Sequence, residues 1–289
     1  MKVLLTGASG LLGRYLMARA PKDVQILPTF YQHPIDGGLC VDMTTPASIF
    51  YAFNKADPDV VIHCAGVSDV DACEKNPVFA EATNVTGTAW LCRAAEEYGA
   101  RVVYVSTNAV FDGENAPYSE GDECKPVNKY GQIKLRAERT VTDLVSAWTI
   151  VRPILLYGWT YSWGRQNWAS RVYWALSNGA TLRVVDDTLT QPTYAGWAAD
   201  AIWRLIEGRY DGIYHLGGAN VMSLLAFCNY CLLAFGKPAQ ILPASSADFP
   251  TIAPRPRDTT YNLSKISEII QPLNIYDGLA QMRDENWIR

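Results

Sequence analysis

The chain has 289 residues, 49% of them hydrophobic and 19% charged, with a formal charge of -4 from 25 basic and 29 acidic side chains. That length supports a large core in one or two domains. No block of like charge reads as a nucleic-acid arm, and the acidic balance disfavours polyanionic partners.

No apolar leader opens the chain, and the apolar run near Leu224 to Phe235 is too short and interrupted to span a bilayer. A soluble, cytoplasmic protein without membrane contact is therefore expected. Seven cysteines, an odd number scattered along the chain, are expected to stay reduced. Cys228 and Cys231 have metal-ligand spacing, but they sit inside the helix-like run SLLAFCNYCLLAF with no second pair nearby. Core packing is the expectation there, and no metal site is expected.

In chain order, short β-branched runs at 3–6, 24–29, 60–63, 102–106 and 149–152 are predicted strands. Longer helical patterns lie between them, for example 77–98 and 127–145. This alternation predicts an α/β fold, a Rossmann-like doubly wound parallel sheet covered on both faces. After Arg152 the texture turns loop-like and aromatic, and of nine Trp only Trp90 precedes residue 148. The run GIYHLGG at 212–218 reads as one more strand. The expected division is a dinucleotide-binding domain over 1–157, with return segments near 186–216. A smaller substrate-binding region over 158–289 interleaves with it.

The run VLLTGASGLLGR places Gly7, Gly10 and Gly13 directly after the first strand and before a helix. Glycines there let the backbone turn tightly and approach a pyrophosphate, which rests on the helix N-terminus. An acid at the end of the second strand would clamp the ribose of NAD, and none occurs from Pro28 to Pro34. Arg14 instead offers a partner to a 2′-phosphate. The pattern favours NADPH over NADH.

The run NKYGQIKLRAE contains Tyr130 and Lys134, one helical turn apart on one face. A lysine ammonium beside a phenol favours its ionised form and draws its pKa down from about 10. Such a phenol donates a proton to a carbonyl oxygen that is gaining charge. Thr107, at the end of the strand in VSTNAVFDG, is placed to hydrogen-bond the same oxygen. His63 and His215 lie in apolar strands and read as core residues, not as a site.

Glycine loop, Ser-Thr strand end and Tyr-x-x-x-Lys in this order resemble an extended short-chain dehydrogenase/reductase. More narrowly, the chain resembles the dTDP-4-dehydrorhamnose reductases and the regulatory β subunits of methionine adenosyltransferase. The matching stretches run nearly end to end, among them TGASGLLG, VDM, DPDVVIHCAG, VDACE, STNAVFDG, VRPILLYG, QPTYAGWAADAIW and RPRDTTYNLSK. The resemblance implies that Thr107, Tyr130 and Lys134 are catalytic and that Lys134 also holds the nicotinamide ribose. It implies cofactor contacts from Gly7, Ser9, Gly10, Leu11, Leu12, Gly13 and Arg14. Asp42 and Met43 would meet the adenine, Cys64, Ala65 and Gly66 would line the cofactor near the third strand, and Arg152 and Pro153 would pass beside the nicotinamide. Implied substrate contacts are Val67, Asn108, Ala109, Asn167 and Arg255. The implied substrate is a nucleotide sugar or a related keto compound. A homodimer is one assembly left open, and the glutamate that some members use for metal-linked dimerisation is Tyr15 here.

Relatives in this branch typically carry Asp-Tyr where this chain has Asn108 and Ala109, and an aromatic residue where it has Leu155. The first change is expected to open the wall beside Thr107. Nucleotide-sugar dehydratases of the wider superfamily carry an Asp-Glu pair after the threonine as acid and base, and Asn108 and Ala109 cannot do that work. Two other readings stay open from the sequence: a regulatory subunit that binds NADP without turnover, and a nucleotide-sugar epimerase.

Overall fold

Seven strands build one sheet: β1 (Lys2–Thr6), β2 (Gln25–Phe30), β3 (Leu39–Cys40), β4 (Val60–His63), β5 (Arg101–Val105), β6 (Trp148–Pro153) and β7 (Gly212–Leu216). The computed structural model describes residues 1–236 and 240–285. All six strand pairings in this sheet are parallel, in the order β7-β6-β5-β4-β1-β2-β3. The five predicted strands of the first half fall within a residue or two of those observed. The two-residue β3 was not anticipated, because LC is too short to show a period.

Alternation along the strands sends neighbouring residues to opposite faces. Val3 and Leu5 of β1, Ile62 of β4 and Val103 of β5 enter one core. There they meet helices α1 (Leu11–Ala18) and α8 (Ala195–Glu207). Leu4, Val61, Val102 and Ile150 enter the other, with α2 (Pro46–Ala56), α5 (Gly87–Tyr98) and α6 (Lys129–Leu144). Two short helices, α3 (Val70–Lys75) and α4 (Pro77–Glu81), precede α5.

The predicted helix over 77–98 is a single rod with one irregularity. Between α4 and α5 the backbone is wound as a π-helix over Ala82–Thr86. Such bulges frequently mark functional positions, and this one turns Asn84 back toward β4.

Beyond β6 the chain forms α7 (Trp168–Ser177), returns to the sheet through α8 and β7, and continues in α9 (Leu224–Phe235). Cys228 and Cys231 lie fully buried in α9, and burial pushes the Cys228 thiol up to about 12. No described helix is long and apolar enough to cross a membrane.

The two strand histidines are buried and partnered. His63 Nδ1 lies 2.7 Å from Thr6 Oγ1, and its Nε2 lies 3.0 Å from Thr88 Oγ1. His215 stacks on Tyr261 at 3.9 Å between ring centroids. Burial lowers both to about 3. Between pH 6.5 and about 3 the unfolded chain therefore binds protons that the folded chain refuses, so stability should fall on acidification through that window. Denaturation midpoints measured between about pH 7 and 4 should decline, and the decline should be shallower in His63→Gln.

Candidate active site

The strand order reverses between β1 and β4, so a crevice opens beyond their carboxyl ends. It is a cleft of about 640 Å³. Gly7 follows β1 with φ +68, and a Cβ at that position would lie 2.7 Å from the Ala65 backbone nitrogen. Only a glycine lets the turn after β1 sit against the chain leaving β4. Gly10 caps α1 without a side-chain hydrogen bond, and Leu11, Leu12 and Gly13 of the first helical turn line the cleft. A helix N-terminus of this kind suits an anion.

Thr29 to His33, the end of β2 and the residues after it, line one lip, and none of them is acidic. Asp42 and Met43 line the same region. The Asp42 carboxylate accepts from Thr44 Oγ1 at 2.7 Å and Thr44 N at 2.8 Å, which hold it below the usual carboxylate range. Cys64, Ala65, Gly66 and Val67 form the opposite lip. Thr83 Oγ1 is buried there with no hydrogen-bond partner. A glycine cradle, an uncapped helix start, an orphan hydroxyl and a lip without acids together fit a dinucleotide.

Thr107, Tyr130, Lys134 and Pro153 line the same cleft. Thr107 lies two residues past the end of β5 and caps a short 3-10 turn, accepting from Ala109 N at 3.1 Å. Asn128 caps α6 by accepting from Gly131 N at 2.9 Å, which sets Tyr130 and Lys134 on the first two turns.

The expected electrostatics do not hold. Lys134 Nζ donates to Val105 O at 2.7 Å and lies 4.1 Å from the Tyr104 ring centroid, reaching back to β5 instead of along the helix face. Burial therefore dominates at Tyr130 and pushes it up to about 12, against the Thr107 hydrogen bond and the Arg165 charge, which lower it. At neutral pH Tyr130 is a protonated phenol. Burial also lowers Lys134 to about 8, with the Glu138 charge opposing.

The family model for the RmlD substrate binding domain matches residues 1–286. The chain belongs to this family. A dTDP-4-dehydrorhamnose reductase of Mycobacterium tuberculosis is 33% identical over 262 residues, covering 88% of this chain and 82% of the relative. The crystal structure of a Clostridium acetobutylicum dTDP-4-dehydrorhamnose reductase superposes with a TM-score of 0.88 at 30% identity, covering 98% of this chain and 99% of that one. A Bacillus anthracis dTDP-4-dehydrorhamnose reductase, solved in complex with NADP, superposes with a TM-score of 0.89 at 28% identity, covering 99% of this chain and all of that one.

Within this RmlD-family chain, several expected contacts lie elsewhere. Arg14 does not line the cleft; its guanidinium lies 4.2 Å from the Tyr161 ring centroid. The Arg152 side chain turns beneath the cleft to Glu138, and only its neighbour Pro153 lines it. Asn167 spends its amide on Gly158 O at 2.6 Å and on Ser170 N at 3.2 Å, at the start of α7. Arg255 pairs with Asp71 at 3.0 Å and does not line the cleft.

Ala109 does not widen the wall beside Thr107. It packs with Tyr130 and Ile133 outside the cleft, while Asn108 lines it and donates to Thr259 Oγ1 at 2.6 Å. The aromatic run at 159–174 is divided. Trp159 packs on Tyr173 and Phe235, Tyr161 and Trp163 stack at 4.8 Å, and Trp174 is exposed.

Three contributors escaped the sequence reading. The lip at Thr29–His33 was noticed for its missing acid, not for its own side chains. Glu138 stands one helical turn after Lys134, and that spacing by itself assigns it no role. Asn84 had no readable signal, because a π-wound turn leaves no period in the sequence. Asn84 accepts from Val67 N at 2.8 Å and donates to Val67 O at 2.9 Å, closing both backbone groups on the β4 lip. Asn84→Ala would leave them unsatisfied, so a loss of about 1–3 kcal/mol in stability is expected, with weaker dinucleotide binding. Denaturant titration and cofactor fluorescence would measure the two.

Proposed function

We propose that this protein is an NADPH-dependent reductase of a keto group on a nucleotide sugar. The observation that carries the proposal is spatial: Thr107, Tyr130 and Lys134 line the same cleft as the glycine turn. NADPH, when bound, supplies the hydride. The glycine turn and the start of α1 hold its phosphates. Lys134 holds the nicotinamide ribose. Thr107 orients the substrate carbonyl, and Tyr130 gives its proton to that oxygen as charge develops there.

The absence of an acid along Thr29–His33 and the NADP complex of the Bacillus anthracis relative support NADPH as the cofactor. The names of the Mycobacterium and Clostridium relatives support a nucleotide sugar of the 4-dehydrorhamnose type as the substrate class. In this proposal residues 1–157 bind the cofactor and residues 158–289 chiefly the substrate.

The test is a screen for nicotinamide oxidation with keto-sugar nucleotides, run with NADPH and NADH in parallel. NADPH consumption on at least one such substrate is expected, with a lower KM for NADPH than for NADH. A protein that binds NADPH and oxidises none of it on any of them would instead be a binding subunit.

A further inference from the structure

The loop that leads into α7 carries side chains that the proposed chemistry does not use. Its base is fixed. Trp159 N donates to Tyr15 Oη at 3.0 Å, and a Cβ at Gly158 would lie 2.7 Å from the same oxygen. Asn167 Nδ2 donates to Gly158 O at 2.6 Å, so the two ends of the segment 158–167 are tied together. A loop closed at its base in this way is an Ω-loop, a form that is frequently functional.

Its tip reaches three places around the cleft. Gly164 N donates to Tyr161 O at 2.8 Å, and this turn sets the Tyr161 and Trp163 rings face to face, 4.8 Å apart and 5° from parallel. On one side the Arg14 guanidinium of α1 lies 4.2 Å from the Tyr161 ring centroid. On the other, Trp163 stacks on His33 of the β2 lip, with ring centroids 5.8 Å apart. Two residues on, Arg165 pairs with Asp69 at 3.2 Å. Asp69 follows Ser68, which lines the opposite lip beyond β4. In the sheet β1 lies between β2 and β4. A segment fastened beyond both of those strands, and to the helix after the glycine turn, therefore crosses the mouth of the cleft above that turn.

The fastenings differ in strength. The bonds at the base are part-buried, whereas Trp163 is 45% exposed and the Arg165 side chain 67%. An exposed ion pair and an offset ring stack hold weakly. The tip can release while the base stays in place.

We propose that residues 158–167 are a strap that closes over the bound dinucleotide and lifts to let it enter and leave. This rests on the dinucleotide reading of the cleft and not on turnover.

The test is stopped-flow binding and release of NADPH by the full-length protein, followed by nicotinamide fluorescence, with release started by excess NADP. The fastenings of the strap are made between protein groups alone, so they form with or without ligand and keep the open form a minority. Loosening them should therefore speed both steps. In Trp163→Ala/Arg165→Ala, association and dissociation should each rise about tenfold, while Kd changes by less than about threefold. Each single variant should move both rates in the same direction by a smaller factor. A faster dissociation with unchanged association would make the two side chains ordinary ligand contacts and overturn the strap. Rates that stay at the wild-type values overturn it too. A wild-type chain that binds no NADPH refutes the dinucleotide reading and the strap with it; one that binds NADPH with rates the variants do not move refutes the strap alone.

Discussion

Tyr130→Phe is expected to cut keto-sugar reduction by about 10²–10⁴-fold, the range for losing a positioned general acid. The ring is 9% exposed and packed with Cys73, Ala80 and Ile133, so phenylalanine keeps the packing and removes only the hydroxyl. The glycine turn and the β2 lip are untouched, and NADPH affinity measured by fluorescence should stay within about twofold. Since burial pushes Tyr130 up to about 12 and lowers Lys134 to about 8, an alkaline limb in the wild-type rate should report the lysine and not the tyrosine. A variant that retains most of its kcat would mean that the proton comes from another group.

Gly131→Ala should be nearly as damaging, for a mechanical reason. A Cβ at this position would run into the Ala109 carbonyl oxygen and lie 2.8 Å from Pro126 Cβ. The oxygen belongs to the turn that Thr107 caps, so the start of α6 would have to back away from the end of β5. Overpacking of this kind costs about 1–3 kcal/mol. The shift separates Tyr130 from Thr107, and a misplacement of about 1 Å is enough for a loss of order 10²-fold in kcat/KM. Thermal unfolding and steady-state kinetics together check this. An alanine variant with unchanged kcat/KM would show that the turn and the helix are free to adjust.

The sheet was legible in the sequence because parallel strands buried on both faces read as plain aliphatic runs, VLLT and VVIH among them. The glycine turn and the Tyr-x-x-x-Lys pair could be picked out because each depends on spacing within one short segment, whereas Thr107 was picked out by the order of the motifs along the chain. What could not be read was which way long side chains turn. Arg14, Arg152, Asn167 and Arg255 stand at plausible positions, yet each is engaged by a partner distant in sequence or outside the cleft: Tyr161, Glu138, Gly158 and Asp71. The tuning of Tyr130 was misjudged for the same reason. One helical turn of separation does not say whether a lysine follows the helix or reaches across to a strand carbonyl, and here Val105 O captures it.

The bond from Asn108 to Thr259 also bears on how the protein is made. Asn128 donates to Pro254 O at 2.9 Å, and Asp71 accepts from Ala253 N at 3.0 Å, so the segment from 253 to 259 runs like a splint along the turn after β5 and the starts of α3 and α6. During synthesis, Thr107, Tyr130 and Lys134 all leave the ribosome well before the splint exists. A nascent chain has most of the sheet strands and the cleft lips early, but the turn after β5 and the starts of α3 and α6 gain these bonds only when residues more than a hundred positions later arrive. A chain that ends before Ala253 lacks all three of these bonds.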